Sequence, residues 1–140
     1  MPAPQEFAWI ALGSNLGDRA GQLRAAVHKL SRLPETTLVA QSRVEETAPL
    51  GGMDQPPYLN QMVLIRTGLT PRVLLEACLA IEEELGRHRS ARWAPRTLDL
   101  DIVRFGERQI SEPGLTIPHP GLPDRDFWQR ELDELAPYTE

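Results

Sequence analysis

Thr97-Leu98-Asp99-Leu100-Asp101-Ile102-Val103-Arg104-Phe105 alternates apolar and polar side chains, the pattern of a β-strand with one face in a core and one face free for chemistry. Leu98, Leu100 and Ile102 point one way; Asp99 and Asp101 point the other. A basic loop, 87–96, precedes this strand, and before the loop Val73, Leu74, Cys78, Ile81 and Leu85 trace an apolar stripe at helical spacing. Thr70-Pro71 supplies that helix with an N-cap and a proline at its first position, and Gly86 closes it. Further upstream, 58–67 reads as a strand, 48–57 as a long loop, and 36–47, rich in β-branched residues, as another strand. Leu23, Val27 and Leu30 mark a helix ended by Pro34, and Phe7-Ala-Trp-Ile-Ala-Leu12 is a strand running into the turn Gly13-Ser-Asn-Leu-Gly17.

The order is therefore strand, helix, strand, strand, helix, strand. It predicts an α+β fold of the ferredoxin-like βαββαβ type, with helices packed on an antiparallel sheet. The last 35 residues carry Pro113, Pro118, Pro120 and Pro123 and then an amphipathic piece at 127–135, so an irregular segment followed by a short helix is expected there. At 140 residues the chain fits a single domain, 1–140.

Composition narrows the function classes. Hydrophobic residues make up 41% and charged residues 25%, the balance of a soluble globular protein. No apolar run nears the roughly 20 residues that span a bilayer, and 1–6 has no signal-peptide pattern, so a cytoplasmic protein without a membrane partner is expected. The net charge of −5 argues against nucleic-acid binding. One cysteine, Cys78, permits neither an internal disulfide nor a cysteine zinc site, and its apolar neighbours point to an inert, buried thiol.

Asp99 and Asp101 lie on one strand face with Cα atoms about 7 Å apart, close enough to serve one magnesium site completed by phosphate oxygens and water. The alternative is a solvated pair or salt bridges to nearby arginines. Arg87, Arg89, Arg92 and Arg96 crowd the loop just before the strand, and guanidinium forks match phosphate oxygens. Trp93 in that loop has two readings, stacking on a ring or anchoring the loop. No phosphate-binding G-x-x-x-x-G-K-[ST] occurs, and Lys29 is the only lysine, which excludes a P-loop fold. Gly13-Ser-Asn-Leu-Gly17 is either a plain strand-to-helix turn or an anion-binding turn. His119, held between two prolines, can reach a phosphate or can pack.

Five segments carry a resemblance that runs almost end to end: Ala11-Leu-Gly-Ser-Asn-Leu-Gly17, Glu46-Thr-Ala-Pro-Leu-Gly51, Asp54-Gln-Pro-Pro-Tyr-Leu-Asn60, Arg92-Trp-Ala-Pro-Arg-Thr-Leu-Asp-Leu-Asp-Ile102 and Ile117-Pro-His119. On these the chain resembles the 6-hydroxymethyl-7,8-dihydropterin pyrophosphokinases of folate biosynthesis, which transfer diphosphate from ATP to the pterin hydroxyl. The resemblance implies that Asp99 and Asp101 hold two magnesium ions and that Arg87 and Arg96 stabilise the transferring phosphates. It places Glu82, Trp93, Arg96, Ile102, Thr116, His119 and Arg125 against ATP. It places Thr47, Pro49, Leu50, Tyr58, Asn60, Trp93 and Phe127 against the pterin, with Tyr58 and Phe127 sandwiching the ring. The implied partners are these two small molecules, taken up by a monomer.

The chain departs from the family pattern at Ala94 in the arginine loop, at Gly114, across Gly121-Leu-Pro-Asp124, and across Trp128-Gln-Arg-Glu131. Two other function classes compete. An RNA-recognition domain has the same order of elements, but 59–66 lacks the required aromatic motif and the net charge is acidic. A catalytically silent relative that senses nucleotide or pterin is the other, and the intact Asp-Leu-Asp and arginine set stand against it.

Overall fold

A computed structural model of the protein describes residues 4–15, 17–48, 57–85 and 98–140. The elements follow as β1 (Glu6–Ser14), α1 (Arg19–Ser31), β2 (Thr36–Gln41), β3 (Glu45–Thr47), β4 (Tyr58–Thr67), α2 (Pro71–Leu85), β5 (Leu98–Phe105), β6 (Ile110–Glu112), β7 (Leu115–Ile117) and α3 (Asp126–Leu135). The main sheet is antiparallel in the order β2-β4-β1-β5, with β3 also paired to β4. Thr70 caps α2 as its sequence requires: the Thr70 hydroxyl accepts from the Val73 N–H at 3.2 Å, and Pro71 opens the helix.

Both faces of the sheet are buried. On one, Ile10, Leu12, Val63, Ile65, Leu98, Leu100 and Ile102 pack against Leu23, Val27 and Leu30 of α1 and Leu74, Cys78 and Ile81 of α2. On the other, Ala11, Met62, Leu64 and Val103 pack against Phe127, Trp128, Leu132 and Leu135 of α3. Strand β4 runs buried from Asn60 to Ile65 for this reason. Period-two alternation fades in a strand covered on both sides.

Four features differ from the sequence expectation; the first is that Gly13 and Ser14, expected in the turn, extend β1, because both pair with β4 and β5. The strand expected over 36–47 is two strands, β2 and β3. Between them Ser42 takes over the ladder, its N–H donating to the Met62 carbonyl at 2.8 Å and its hydroxyl accepting from the Met62 N–H at 2.9 Å, while the Arg43 N–H leaves the sheet for Glu134 at 2.9 Å. The irregular segment expected after residue 105 contains the hairpin β6–β7, turned at Gly114 with φ of +75°, a conformation that glycine adopts without steric cost. Strands of three residues are too short to show alternation. Finally, the alternation in β5 breaks: Trp9 faces Arg104 while Ile10 faces Ile102. The extra residue returns Phe105 to the core beside Ile102 and leaves Arg104 exposed; strict alternation would have aimed the arginine inward. The long loop at 48–57 and the loop at 87–96 fall, apart from Ala48 and Pro57, outside the described residues.

Candidate active site

The cross-strand register lays out the site. Gly13 on β1 faces Asn60 on β4 and Asp99 on β5, and Asn60 in turn faces Glu45 on β3. One step along, Ala11 faces Met62 and Asp101. Directly opposed residues put their side chains on the same face, so two of the smallest residues of β1 stand between the aspartates and β4. The result is a cavity of about 170 Å³. Even a Cβ at Gly13 would stand 3.4 Å from the Asn60 Oδ1 and 3.5 Å from the Tyr58 ring, so any longer side chain would fill the floor.

Around that floor the cavity is walled by Thr47, Tyr58, Asn60, Asp99, Asp101, Arg125 and Phe127, all seven expected from the sequence, together with Ala48 and Trp128. The Asn60 side-chain amide donates to the Thr47 hydroxyl at 2.5 Å. That contact fixes the two polar groups of the rim relative to each other. A second cavity, of about 220 Å³, lies around the edge of β5 and is lined by Leu75, Leu100, Ile102, the β7 residues Leu115 and Thr116, His119 and Pro120, and again Asp101. Ile102, Thr116 and His119, three of the residues expected against ATP, therefore share one wall. Asp101 lines both cavities.

Strand β5 is an edge strand, and two contacts hold its free side. The Glu82 carboxylate, buried on α2, accepts from the Leu100 N–H at 2.7 Å, between the two aspartates in the chain. The His119 N–H donates to the Val103 carbonyl at 3.0 Å. Glu82 thus stands behind the strand and lines neither cavity. His119 accepts the Gly121 N–H on Nδ1 at 2.9 Å, which leaves its proton on Nε2, and Nε2 is 3.5 Å from the Asp101 Oδ1. A hydrogen-bond donor on a cavity wall next to a carboxylate suits an anion bridged to that carboxylate by a cation.

Two groups near the site are tuned by burial. The Cys78 thiol is pushed up to about 12, first by burial and then by the carboxylates of Glu82 and Asp101, which keeps it protonated and inert. Glu131 on α3 is raised to about 8, mostly by burial and then by nearby Glu45, with Arg130 acting in the opposite sense. Both Glu131 carboxyl oxygens are buried without a hydrogen-bond partner among the described residues.

Pro49, Leu50, Arg87, Trp93 and Arg96 lie outside the described residues, so their expected places stay expectations. Sequence reasoning missed Gly13 and Ala11 as the floor, and treated Trp128 only as a departure from a pattern. The signal for the floor was present: two small residues, spaced by two, on one face of a strand that also carries Phe7, Trp9, Ile10 and Leu12.

Small residues in front of the paired carboxylates thus leave a hollow with an aromatic wall and a hydrogen-bonding rim, and a second cavity adjoins it at Asp101. The chain belongs to the 7,8-dihydro-6-hydroxymethylpterin-pyrophosphokinase family, whose model matches residues 9–137. It is 47% identical over 129 residues to the 2-amino-4-hydroxy-6-hydroxymethyldihydropteridine pyrophosphokinase of Pseudomonas aeruginosa, covering 92% of this chain and 80% of that protein. With the enzyme of the same name from Bacillus subtilis it shares 45% over 134 residues, covering 96% and 80%. Among solved structures, an HPPK-DHPS in complex with substrates superposes with a TM-score of 0.54 at 14% identity over 78% of this chain and 30% of the other, a likeness of fold.

Proposed function

We propose that the protein transfers diphosphate from ATP to 6-hydroxymethyl-7,8-dihydropterin, giving AMP and the pterin diphosphate, as a step of folate biosynthesis. The observation that carries the reading is that Asp101 borders both cavities. One carboxylate at the junction of two small-molecule sites stands where a group passes between them.

The pterin is assigned to the first cavity. A flat ring rich in donors and acceptors needs aromatic faces and amide or hydroxyl groups at its edge, and Tyr58, Phe127, Asn60 and Thr47 supply them there. ATP is assigned to the second, with Ile102 and Thr116 beside the base and sugar and His119 toward the phosphates, which Arg125 meets from the wall of the first cavity. The Nε2 N–H of His119 donates to phosphate oxygens, and the guanidinium of Arg125 neutralises their charge. Arg87 and Arg96 add to that charge by their place in the family pattern. In the reaction the hydroxymethyl oxygen forms a bond to the β-phosphorus while the bond from that phosphorus to the α,β-bridging oxygen breaks, and AMP leaves. In-line attack needs the two reactants held about 3 to 3.5 Å apart, and two cavities meeting at one side chain serve that need.

The residues present fit magnesium. Asp99 and Asp101 lie on the same strand face at the cavity wall, and among the described residues no group of three or more acidic, histidine or cysteine side chains forms a protein cage. Two carboxylates with phosphate oxygens and water completing the shell is the donor set this ion prefers. Bound by Asp99 and Asp101, two such ions would supply charge neutralisation at the phosphates and polarisation of the attacking hydroxyl.

The fold reading that accompanies this function is ferredoxin-like βαββαβ in a single domain, supported by the strand order β2-β4-β1-β5, with β3 and the β6–β7 hairpin as additions. A cytoplasmic monomer acting on small molecules is part of the same reading. Among the described residues no helix is long and apolar enough to cross a membrane, and the net charge is −5. Simultaneous occupancy tests the two-cavity assignment: the pterin should bind stoichiometrically to protein saturated with a non-hydrolysable ATP analogue. Mutual exclusion of the two ligands would contradict it.

A further inference from the structure

Trp128, in the first turn of α3, is almost fully buried, yet it touches two polar groups of the site. The Arg125 guanidinium carbon lies 4.4 Å from the centre of its ring. The His119 imidazole meets it at 90° with ring centroids 5.0 Å apart. Arg125 is held by that ring face rather than by an acceptor at Nη1, which is buried and without a hydrogen-bond partner among the described residues. A guanidinium seated on an aromatic face keeps its N–H donors for another ligand. The third member of the packing is Gly121. A Cβ there would come 2.6 Å from the Arg125 Nη1 and 3.2 Å from the His119 Nδ1, so a side chain at this turn would push the guanidinium from its place and crowd the imidazole.

We propose that Trp128 is a positioning residue for the nucleotide half of the site, its indole seating His119 on the wall of the second cavity and Arg125 on the wall of the first, so that donors from both sides face the phosphates beside Asp101, which borders both cavities. The inference rests on the assignment of ATP to that half. Trp128 touches neither phosphate nor metal; it acts through the two side chains. Because its ring also walls the first cavity, the seat joins α3, which carries Phe127, to the wall of the second cavity.

ATP affinity, measured by calorimetric titration in the presence of magnesium and without pterin, tests this independently of turnover. Trp128→Leu removes the ring and is expected to weaken ATP about tenfold, the size expected when one or two aromatic-face interactions are removed. Trp128→Phe keeps a ring face and should recover most of the affinity. In Trp128→Leu combined with Arg125→Gln the losses should fall well short of multiplying, since the arginine is already unseated, whereas Trp128→Leu combined with Tyr58→Ala should show no such coupling for ATP. Gly121→Ala crowds the same pair from the surface without touching the core, so it decides the matter if Trp128→Leu does not fold; it too should weaken ATP. ATP affinity unchanged in Gly121→Ala and in Trp128→Leu, or losses that multiply with Arg125→Gln, would overturn the seat. An active wild type with such indifferent variants sinks this inference alone. A wild type that binds ATP through Trp128 but makes no pterin diphosphate sinks the reaction and leaves the seat standing. A wild type that binds no ATP overturns both.

Discussion

The carboxylate of Glu82 accepts a hydrogen bond from the backbone N–H of Leu100 at 2.7 Å, from a side chain only 4% exposed. Leu100 lies between Asp99 and Asp101 on an edge strand, so its outward N–H has no neighbouring strand to bond. Helix α2 supplies the acceptor and in doing so fixes the strand segment that carries both acids. Buried backbone donors left without a partner are costly, which makes this contact structural and functional at once.

Replacing Glu82 by Ala is expected to destabilise the protein by roughly 1 to 3 kcal/mol, the scale of a buried donor left unpaired, and to lower kcat because the aspartate segment loses its anchor. Glu82→Gln keeps an acceptor and should retain more of both. Thermal melts with steady-state kinetics on the same preparations check this. An unchanged melting temperature for Glu82→Ala would mean the Leu100 N–H finds another acceptor.

Asp99→Ala and Asp101→Ala should each cut turnover by several orders of magnitude, since each removes a proposed metal ligand worth several kcal/mol in the transition state. Both side chains are partly exposed on the cavity wall, so melting temperatures should move little. Turnover near wild type in either variant at saturating magnesium would remove that residue from the metal site.

Tyr58→Ala is expected to weaken pterin affinity by roughly 1 to 3 kcal/mol, the scale of a stacking face removed, with ATP affinity in the absence of pterin unchanged. Phe127→Ala should show the same ligand selectivity plus a loss of stability, because Phe127 also packs in the α3 core. Calorimetry with each ligand separates the effects, and equal losses for both ligands would point to disruption of the fold.

Glu131 gives a stability signature with a definite sign. Its pKa is raised by burial from 4.5 to about 8, while Glu45 from β3 and Glu134 on its own helix add negative charge and Arg130 opposes them. Between those two pH values the folded protein holds a proton that the unfolded chain releases, so stability falls as pH rises through the window. Glu131→Gln removes the titration. Its unfolding free energy should match wild type near pH 4.5 and exceed it increasingly up to about pH 8, then stay ahead by a constant margin, on the order of a few kcal/mol. A difference independent of pH would show that the carboxyl does not titrate in this range.

Much of this arrangement was legible in the sequence because local patterns determined it. The 58–67 strand matches β4, Thr70-Pro71 opens α2, and Asp99 and Asp101 share the face opposite Leu98, Leu100 and Ile102. What escaped depends on contacts distant along the chain. The Ser42 break comes from pairing with Met62, and the irregular register near Val103 comes from pairing with β1. The β6 and β7 strands, three residues each, are too short to show alternation. The site shows the same division. The strand pattern gave the acids and the family resemblance gave the aromatic wall and the polar rim, now found around one cavity. The empty space in front of the acids comes from the register of three strands, which puts Gly13 between Asn60 and Asp99. The contact of Trp128 with both His119 and Arg125 depends on how α3 docks.

In the proposed reaction the pterin hydroxyl attacks the β-phosphorus of ATP at the Asp101 junction. Incubating the protein with ATP, magnesium and 6-hydroxymethyl-7,8-dihydropterin, then separating the nucleotides by chromatography and recording phosphorus NMR of the pterin product, tests it most directly. The account predicts AMP and a pterin carrying two phosphorus atoms in equal amounts, with no nucleotide consumed when pterin is omitted. ADP with a pterin monophosphate, or nucleotide consumption indifferent to pterin, would contradict it.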